Sequence, residues 1–483
     1  MALTKVRNLM IDGAPRNVRD YGAVGDGVTD DVVAIQTAID DREGVVFFPP
    51  GEYLCKSRIE LRHNTILRGS GGYGHPDANA SRIIGQHTEE AILFSNRTLQ
   101  ARVEDLTLIG DETITPKTAI AHGRGTAASS GTSYYSNLIT QGHFSVAVVY
   151  VIASEENVFE NCRFGLDGGG ATRIFYTNNA DQLSVASYVG SSNIASNVRK
   201  CFFDFREPGA PGTTFGARPF AIEMDYGQTT SEWVFENCYS SLPEGGFFVG
   251  IQCETTSIGR GPVTFRNNGV EPSNTQLGVL EVPAGLFYIS STGTKAINNL
   301  ILVENRLSQN TGNAIETSGK PILDGMYYRS SANSEAISNH LNIQAYKIKN
   351  SYIKTRGTVT ITDPIKHAKN IIIKDDAGGL RSQLCTAWLN MDGTGTPAIQ
   401  ESFNISSITD NGVGDYSVNF DGDLNARYSV SGLASVTTND TQIGLCANSH
   451  TTINSRIHTF NTSSGATVDC AYITLQFFGE LET

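Results

Sequence analysis

One short phrase returns along this chain. Val158-Phe159-Glu160-Asn161-Cys162-Arg163-Phe164 is echoed by Val234-Phe235-Glu236-Asn237-Cys238-Tyr239 and by Val263-Thr264-Phe265-Arg266-Asn267-Asn268. Looser copies are Leu302-Val303-Glu304-Asn305-Arg306-Leu307 and Tyr346-Lys347-Ile348-Lys349-Asn350-Ser351-Tyr352-Ile353, and 198–205 fits the series with Cys201 in place. The copies lie roughly 25 to 45 residues apart, the uneven spacing of stacked units whose loops differ in length. Each joins a run of alternating β-branched and aromatic residues to an asparagine and a second short strand. Such units bury their apolar faces by stacking, and the pattern reads as a right-handed parallel β-helix.

Stacking carries local expectations. Asparagine tolerates a left-handed backbone and bonds locally through its amide, so Asn161, Asn237, Asn267, Asn305 and Asn350 are expected to form a ladder at one bend. Cys162, Cys201 and Cys238 recur in like contexts and read as a column of buried free thiols. With 8 cysteines in 483 residues and no CxxC pair, neither a disulfide scaffold nor a zinc site is indicated. Thr29 reads as the N-cap of a helix near 30–40, with Asp30 and Asp31 at its positive end and Val32, Ile35 and Ile39 on one face. That helix is expected to plug the open end of the stack, where unpaired strand edges invite association.

Charge and hydropathy exclude other roles. The net charge is -13 and no Lys- or Arg-rich run occurs, so a phosphate-tracking surface for nucleic acid is not expected. The longest apolar runs, such as 146–153, fall short of the roughly 20 residues that span a bilayer. Residues 1–10 lack the apolar segment and small-residue cleavage site of a secretory signal. No membrane insertion is expected.

The run Val18-Arg19-Asp20-Tyr21-Gly22-Ala23-Val24-Gly25-Asp26-Gly27-Val28-Thr29-Asp30-Asp31, then Ala34-Ile35-Gln36 and Val46-Phe47-Phe48-Pro49-Pro50-Gly51-Glu52-Tyr53, resembles the opening of the pectate-lyase-like β-helix superfamily. Val6-Arg7-Asn8-Leu9-Met10-Ile11-Asp12-Gly13-Ala14 is similar to the lead-in of bacteriophage tailspikes in that superfamily. The resemblance implies a short N-terminal connector over 1–17 without a large virion-binding head domain, attachment to a phage tail or another tail protein through the N-terminus, and a β-helix over 18–376. It places such a protein on the virion, acting at the outer surface of a host bacterium.

Beyond the linker Asp375-Asp376-Ala377-Gly378-Gly379 the pattern changes. Ala387-Trp388-Leu389-Asn390-Met391, Ser402-Phe403-Asn404-Ile405 and Gly414-Asp415-Tyr416-Ser417-Val418-Asn419-Phe420 are alternating strands separated by Gly and Asn turns, the mark of an antiparallel β-sandwich over 377–483. This part is similar to C-terminal domains of phage tail fibres and tailspikes, which implies a homotrimer and glycan binding. Asp421-Gly422-Asp423-Leu424-Asn425 lacks the ligand spacing of an EF-hand and reads as a turn. No metal or cofactor is expected.

Chemistry must be argued from a site, since this fold hosts hydrolases, lyases, epimerases and pure binders. The segments 220–226, 248–254, 286–290 and 313–317 look like one strand on four neighbouring coils. Period-two alternation puts Ile222, Ile251, Ile289 and Ile315 inside and Glu223, Gln252, Ser290 and Glu316 outside. Glu223, Asp225 and Glu254 then gather on the outer face. Residues two apart on a strand are separated by about 7 Å and adjacent strands by about 4.8 Å, against carboxyl separations of roughly 6.5–9.5 Å in inverting glycosidases and about 5–5.5 Å in retaining ones. A protonated carboxyl beside an ionised one is what glycoside hydrolysis requires; an acidic patch on an outer face is the alternative. The Gly-, Pro- and Thr-rich segment 206–219 reads as a long loop walling this cluster. At its end Arg218 is placed to clamp a substrate carboxylate, Tyr226 and Phe248 to stack on sugar rings, and Gln252 to bond the glycan. His143, with Glu155 and Glu156, marks a secondary area.

The pattern departs from better-known relatives. The paired-aspartate, Gly-His-Gly and Arg-Ile-Lys constellation of polygalacturonases is missing, as is the Arg and calcium-carboxylate arrangement of pectate lyases, which argues against plant pectin. The expectation is therefore a tailspike that depolymerises a bacterial surface polysaccharide, capsule or O-antigen, by glycoside hydrolysis. A lyase acting by β-elimination on a uronate is the runner-up, with Tyr226, His143, Arg218 and Arg260 as its candidates. A non-catalytic receptor-binding or structural tail protein is the rival from another class.

Overall fold

The computed structural model describes residues 13–478 apart from 72–78, 96–97, 123–129, 153, 178–192, 206–217, 226–229, 254–261, 273–283, 292–295, 308–312, 319–321, 325, 330–339, 345–346, 355–358, 363–368, 375–384, 423, 425–427 and 437–442. Contacts divide the chain into units at 1–365 and 366–483.

The first unit is a parallel β-helix. Among its described residues three long parallel sheets run along it, with a short four-stranded sheet beside them. The chain visits the three in turn. One coil passes from Arg173–Thr177 in the third sheet to Asn197–Arg199 in the first and Phe202–Phe205 in the second. The next coil repeats this with Phe220–Asp225, Trp233–Glu236 and Tyr239–Leu242, each strand pairing in parallel with its predecessor. Buried rings stack in the interior. Tyr135 lies on Phe159 at 4.7 Å and Phe235 on Phe265 at 4.8 Å; such pairs add about 0.5–1.5 kcal/mol each beyond the area they bury.

The bend between the first and second sheets shows what the asparagines do. Asp105, Asn137, Asn161, Lys200, Asn237, Asn267 and Glu304 all have positive φ between 52° and 58°. Asn137 donates to the Asp105 carboxylate at 3.0 Å and Asn267 to the Asn237 amide oxygen at 2.6 Å. The column therefore selects a backbone conformation that asparagine adopts cheaply, and lysine or glutamate occupies it where the stack compensates. Asn161, Asn237 and Asn267 stand in the expected column, with Lys200 between the first two, and the expected side-chain pairing joins Asn267 to Asn237. Asn305 instead falls one residue later, in the inward column that follows, and Asn350 lies inside the strand Lys347–Lys354. In that inward column sit Leu106, Leu138, Cys162, Cys201, Cys238, Asn268 and Asn305, all buried. The thiols approach backbone carbonyls, as Cys201 does Phe159 O at 3.5 Å. Asn268 replaces that contact with a donation to Phe235 O at 3.1 Å and a second to Asn305 Oδ1 at 2.8 Å.

The helix Val32–Asp41 buries Val32, Ile35, Ala38 and Ile39. Its start differs from expectation. Thr29 belongs to the strand Asp26–Asp30, and Asp31 is the N-cap residue without a side-chain cap bond. The Asp31 carboxylate instead accepts the Val24 and Gly25 amides at 2.7 and 2.9 Å, while Thr29 donates to Asp26. Loop amides outcompete the helix terminus for these carboxylates. At the other end buried Arg16 donates to the carbonyls of Ile39, Arg42 and Gly44, supplying partners for orphan helix-end carbonyls.

The second unit is an antiparallel sandwich of two four-stranded sheets. Leu389, Met391, Tyr416, Val418, Ile457, Leu475 and Phe477 form its core. The Tyr416 hydroxyl lies 2.8 Å from Gly393 O and 2.9 Å from Asp469 Oδ1, two acceptors that share its one proton inside the core. Asn404 Oδ1 accepts the Gly422 amide at 2.8 Å, while Asp423 and Asn425 of the segment read as a turn lie outside the described residues. Among the described residues no helix is long and apolar enough to cross a membrane, and no three His, Cys, Asp or Glu side chains group as a metal site.

Candidate functional site

The third sheet carries the candidate site on its outer face. Five of its strands matter: Arg173–Thr177, Phe220–Asp225, Phe247–Cys253, Gly285–Ser291 and Asn313–Ser318. Their register sets one outward row, Tyr176, Glu223, Gly250, Tyr288 and Glu316, and a second row with Asp225, Gln252, Ser290 and Ser318. Between the rows Met224, Ile251 and Ile289 are buried. The expected inside and outside faces are right, yet the expected pairing is off by two. Glu223 lies opposite Gly250, and Gln252 opposite Asp225. A shift of two preserves the facing of every side chain in a strand, which is why alternation could not detect it.

The physical reason for that register is aromatic. Phe220 pairs with Phe247, and a Cβ placed on Gly250 would meet the Phe220 ring at 2.7 Å. Glycine at 250 makes room for a ring lying over the strand. Phe220, Phe247 and Tyr288 cluster with centroids 5.3 to 6.2 Å apart. Arg218 covers them, 4.2 Å from the Tyr288 centroid, and pairs with Glu316 at 3.5 Å.

At the start of these strands strict alternation fails. Ile174 with Phe175, Ala221 with Ile222, Phe248 with Val249 and Leu286 with Phe287 are consecutive buried pairs. The chain enters the sheet at a corner, and two successive side chains point to the interior. Phe248 is thereby corrected. It is fully buried, 6.3 Å from Phe203, and offers no stacking surface to a sugar.

Glu223 sits at the centre of a polar network. Arg173 donates to its Oε2 at 2.8 Å and Gln252 to its Oε1 at 3.0 Å. Arg173 is itself held, with its guanidinium 3.8 Å from the Tyr176 ring centroid and its Nε donating to Val146 O at 3.3 Å. Glu223 is only 7% exposed, and a carboxylate so buried is tolerated because charged and polar donors replace its water. Asp225 ends the same strand, two residues on and about 7 Å away along the backbone. Glu316 is three strands away, about 14 Å at the usual strand spacing. Glu254, Tyr226 and Arg260 lie outside the described residues.

His143 is elsewhere. It bridges to Gly168 at the corner after the second sheet, with its amide on Gly110 O at 3.0 Å. Asp111 lies nearby. Burial pushes the Asp111 carboxyl up, but donors from Ile114, Gln86 and Thr113 and the His143 charge outweigh this and leave it lowered. The Glu223 network does not include this histidine. Arg173, Tyr288, Phe220 and Phe247 are the site residues that sequence reasoning missed. Extending the four-coil alignment one coil earlier, to Arg173-Ile174-Phe175-Tyr176-Thr177, would have found the strand, but alternation would have turned Arg173 inward with Phe175; the consecutive buried pair Ile174 and Phe175 is what leaves Arg173 on the side of Glu223.

Residues 15–108 match the family model described as rhamnogalacturonase A/epimerase, pectate lyase-like. Mannuronan C5-epimerase AlgE6 of Azotobacter vinelandii is 40% identical over 111 residues, 20% of this chain and 12% of its own length. The preneck appendage protein of Bacillus phage PZA is 44% identical over 55 residues, 11% of this chain and 6% of its own. The chain spans less than a fifth of the length of the first curated relatives it matches. Among solved structures, the tailspike protein of E. coli bacteriophage HK620 in complex with a pentasaccharide aligns at 11% identity and TM-score 0.42, covering 96% of this chain and 93% of that one.

Proposed function

We propose that this chain binds and cuts a bacterial surface polysaccharide, capsule or O-antigen, by glycoside hydrolysis on the outer face of the third sheet, as a homotrimeric phage tailspike. The observation that carries the reading is the row Glu223, Gly250, Tyr288 and Glu316. It sets a hydrogen-bonded carboxylate beside an aromatic surface flanked by Arg218, with Asp225 two residues from Glu223. Sugars are bound by such pairings of ring faces with polar side chains, and their hydrolysis needs one ionised and one protonated carboxyl. A glycan running along the helix axis would cross these strands in succession, with Arg218 and Tyr288 binding it some distance from Glu223. The matched pectate-lyase-like segment and the phage appendage relatives are consistent with this role.

The test is digestion of purified capsule and lipopolysaccharide, recording new reducing ends and the absorbance of unsaturated uronate. Reducing ends without absorbance are expected. Both signals together would replace hydrolysis by β-elimination, and neither signal on any glycan that the protein binds would leave a receptor-binding protein. Sedimentation equilibrium at the mass of three chains is expected; a monomer mass would refute the trimer.

A further inference from the structure

We propose that Arg173 and Gln252 are positioning residues that lock Glu223 as the ionised member of the carboxyl pair, so that Glu223 acts as base and the proton reaches the leaving sugar from the other carboxyl. This rests on the hydrolase reading of the same face.

The argument is one of lone pairs and anchoring. A carboxylate offers about four acceptor positions. The Arg173 guanidinium takes one on Oε2 and the Gln252 amide one on Oε1. Both carboxyl oxygens face donors, and one donor is a cation, so the ionised form gains the charge-assisted part of the Arg173 contact that a neutral carboxyl would lose. The donors are not free to swing away. Arg173 is stacked on Tyr176 and bonded to Val146 O, and its side chain is 19% exposed. Gln252 is fixed in the strand directly beside the Glu223 strand. A guanidinium this close strongly favours the charged form of a carboxyl.

The step balances as a single displacement. The oxygen of a water molecule bonds to the anomeric carbon as its proton passes to Glu223. The glycosidic carbon–oxygen bond breaks, and the departing oxygen takes the proton of the second carboxyl, for which Asp225 is the candidate on the same strand. The product anomer is then inverted.

The test uses the full chain and whichever purified capsular polysaccharide or lipopolysaccharide the unmodified protein cuts. With Arg173→Met, the acid limb of kcat/KM is expected to move to higher pH, giving about a tenfold loss at pH 5 that is largely recovered at pH 7.5, with KM little changed. Arg173→Lys, which keeps the charge, should restore part of the shift. Thermal unfolding reports whether each variant is folded; if Arg173→Met is not, Gln252→Leu must show the same movement of the limb. An equal loss at every pH with the limb unmoved would overturn the assignment, as would a raised KM at unchanged kcat or a retained product anomer. If the unmodified protein cuts no glycan that it binds, the hydrolase reading itself has failed. Cleavage by the unmodified protein with an unmoved limb sinks this assignment alone.

Discussion

Acid should loosen the β-helix at one residue in particular. His122 is 1% exposed in the interior, in register between Ser95 and Val151. Its Nδ1 lies 2.7 Å from Ser154 Oγ, the Tyr135 ring meets it edge-on at 5.8 Å, and its Nε2 has no hydrogen-bond partner among the described residues. Burial pushes its pKa down from 6.5 to about 3. The direction follows from linkage. The unfolded chain binds a proton at this residue below about pH 6.5 while the folded chain does not, so the stability is complete above that pH and is lost as pH falls toward 3. At 1.36 kcal/mol per unit, the 1.5 units between 6.5 and 5.0 correspond to a loss of about 2 kcal/mol at pH 5. The assay is denaturant unfolding at pH 7.5 and pH 5.0 for the protein and for His122→Gln, taking unfolding rates if refolding fails. Other titrating groups cancel in the comparison. The protein should lose about 2 kcal/mol more than the variant on acidification. Equal losses, or a histidine resonance of the folded protein assigned to His122 and titrating near 6.5, would refute the reasoning.

Three further outcomes are expected. Glu223→Gln should lower polysaccharide cleavage by at least about 100-fold while glycan binding persists, read by reducing-end assay and by binding to immobilised glycan; near-normal cleavage would move the site elsewhere. Gly250→Val would drive a side chain into the Phe220 ring, costing roughly 1–3 kcal/mol in unfolding experiments and weakening glycan binding through the displaced Phe220, Phe247 and Tyr288 cluster. Among the described cysteines, a thiol reagent should label exposed Cys446 first and leave Cys201 and Cys238 unreacted in the folded protein, because burial raises both buried thiols well above their usual range.

The outer face of the first sheet shows a different use of register. Arg68, Glu104, Ser136, Glu160, Arg199, Glu236 and Arg266 form one row across successive coils. Arg68 pairs with Glu104 at 2.9 Å and Arg199 with Glu160 at 3.0 Å, and Arg266 pairs with Glu236. Opposite charges face one another across neighbouring strands, an arrangement that disfavours a slipped coil more than it adds stability, since exposed pairs contribute little. In the third sheet the outward row carries rings, amides and carboxylates, and the proposed chemistry lies there.

The sequence by itself determined the architecture. A repeated strand, bend and strand that cannot close its own apolar surface has to stack, and the phrase around Asn161, Asn237 and Asn267 marks the bend because a left-handed residue is needed there. Alternation likewise assigned Ile222 inward and Glu223 outward, because period two is a property of any strand. What only the tertiary structure decided was which residues stand beside one another. Shifting a strand by two leaves its alternation unchanged, so the pattern could not distinguish Glu223 beside Gln252 from Glu223 beside Gly250. Ring packing at Phe220 and Phe247 made that choice. The corner that turns Phe248 inward is likewise invisible to a periodic rule, since it depends on how the chain enters the sheet. Arg173 lies fifty residues before Glu223, and its partnership with that carboxylate exists because one full coil returns the chain to the same face.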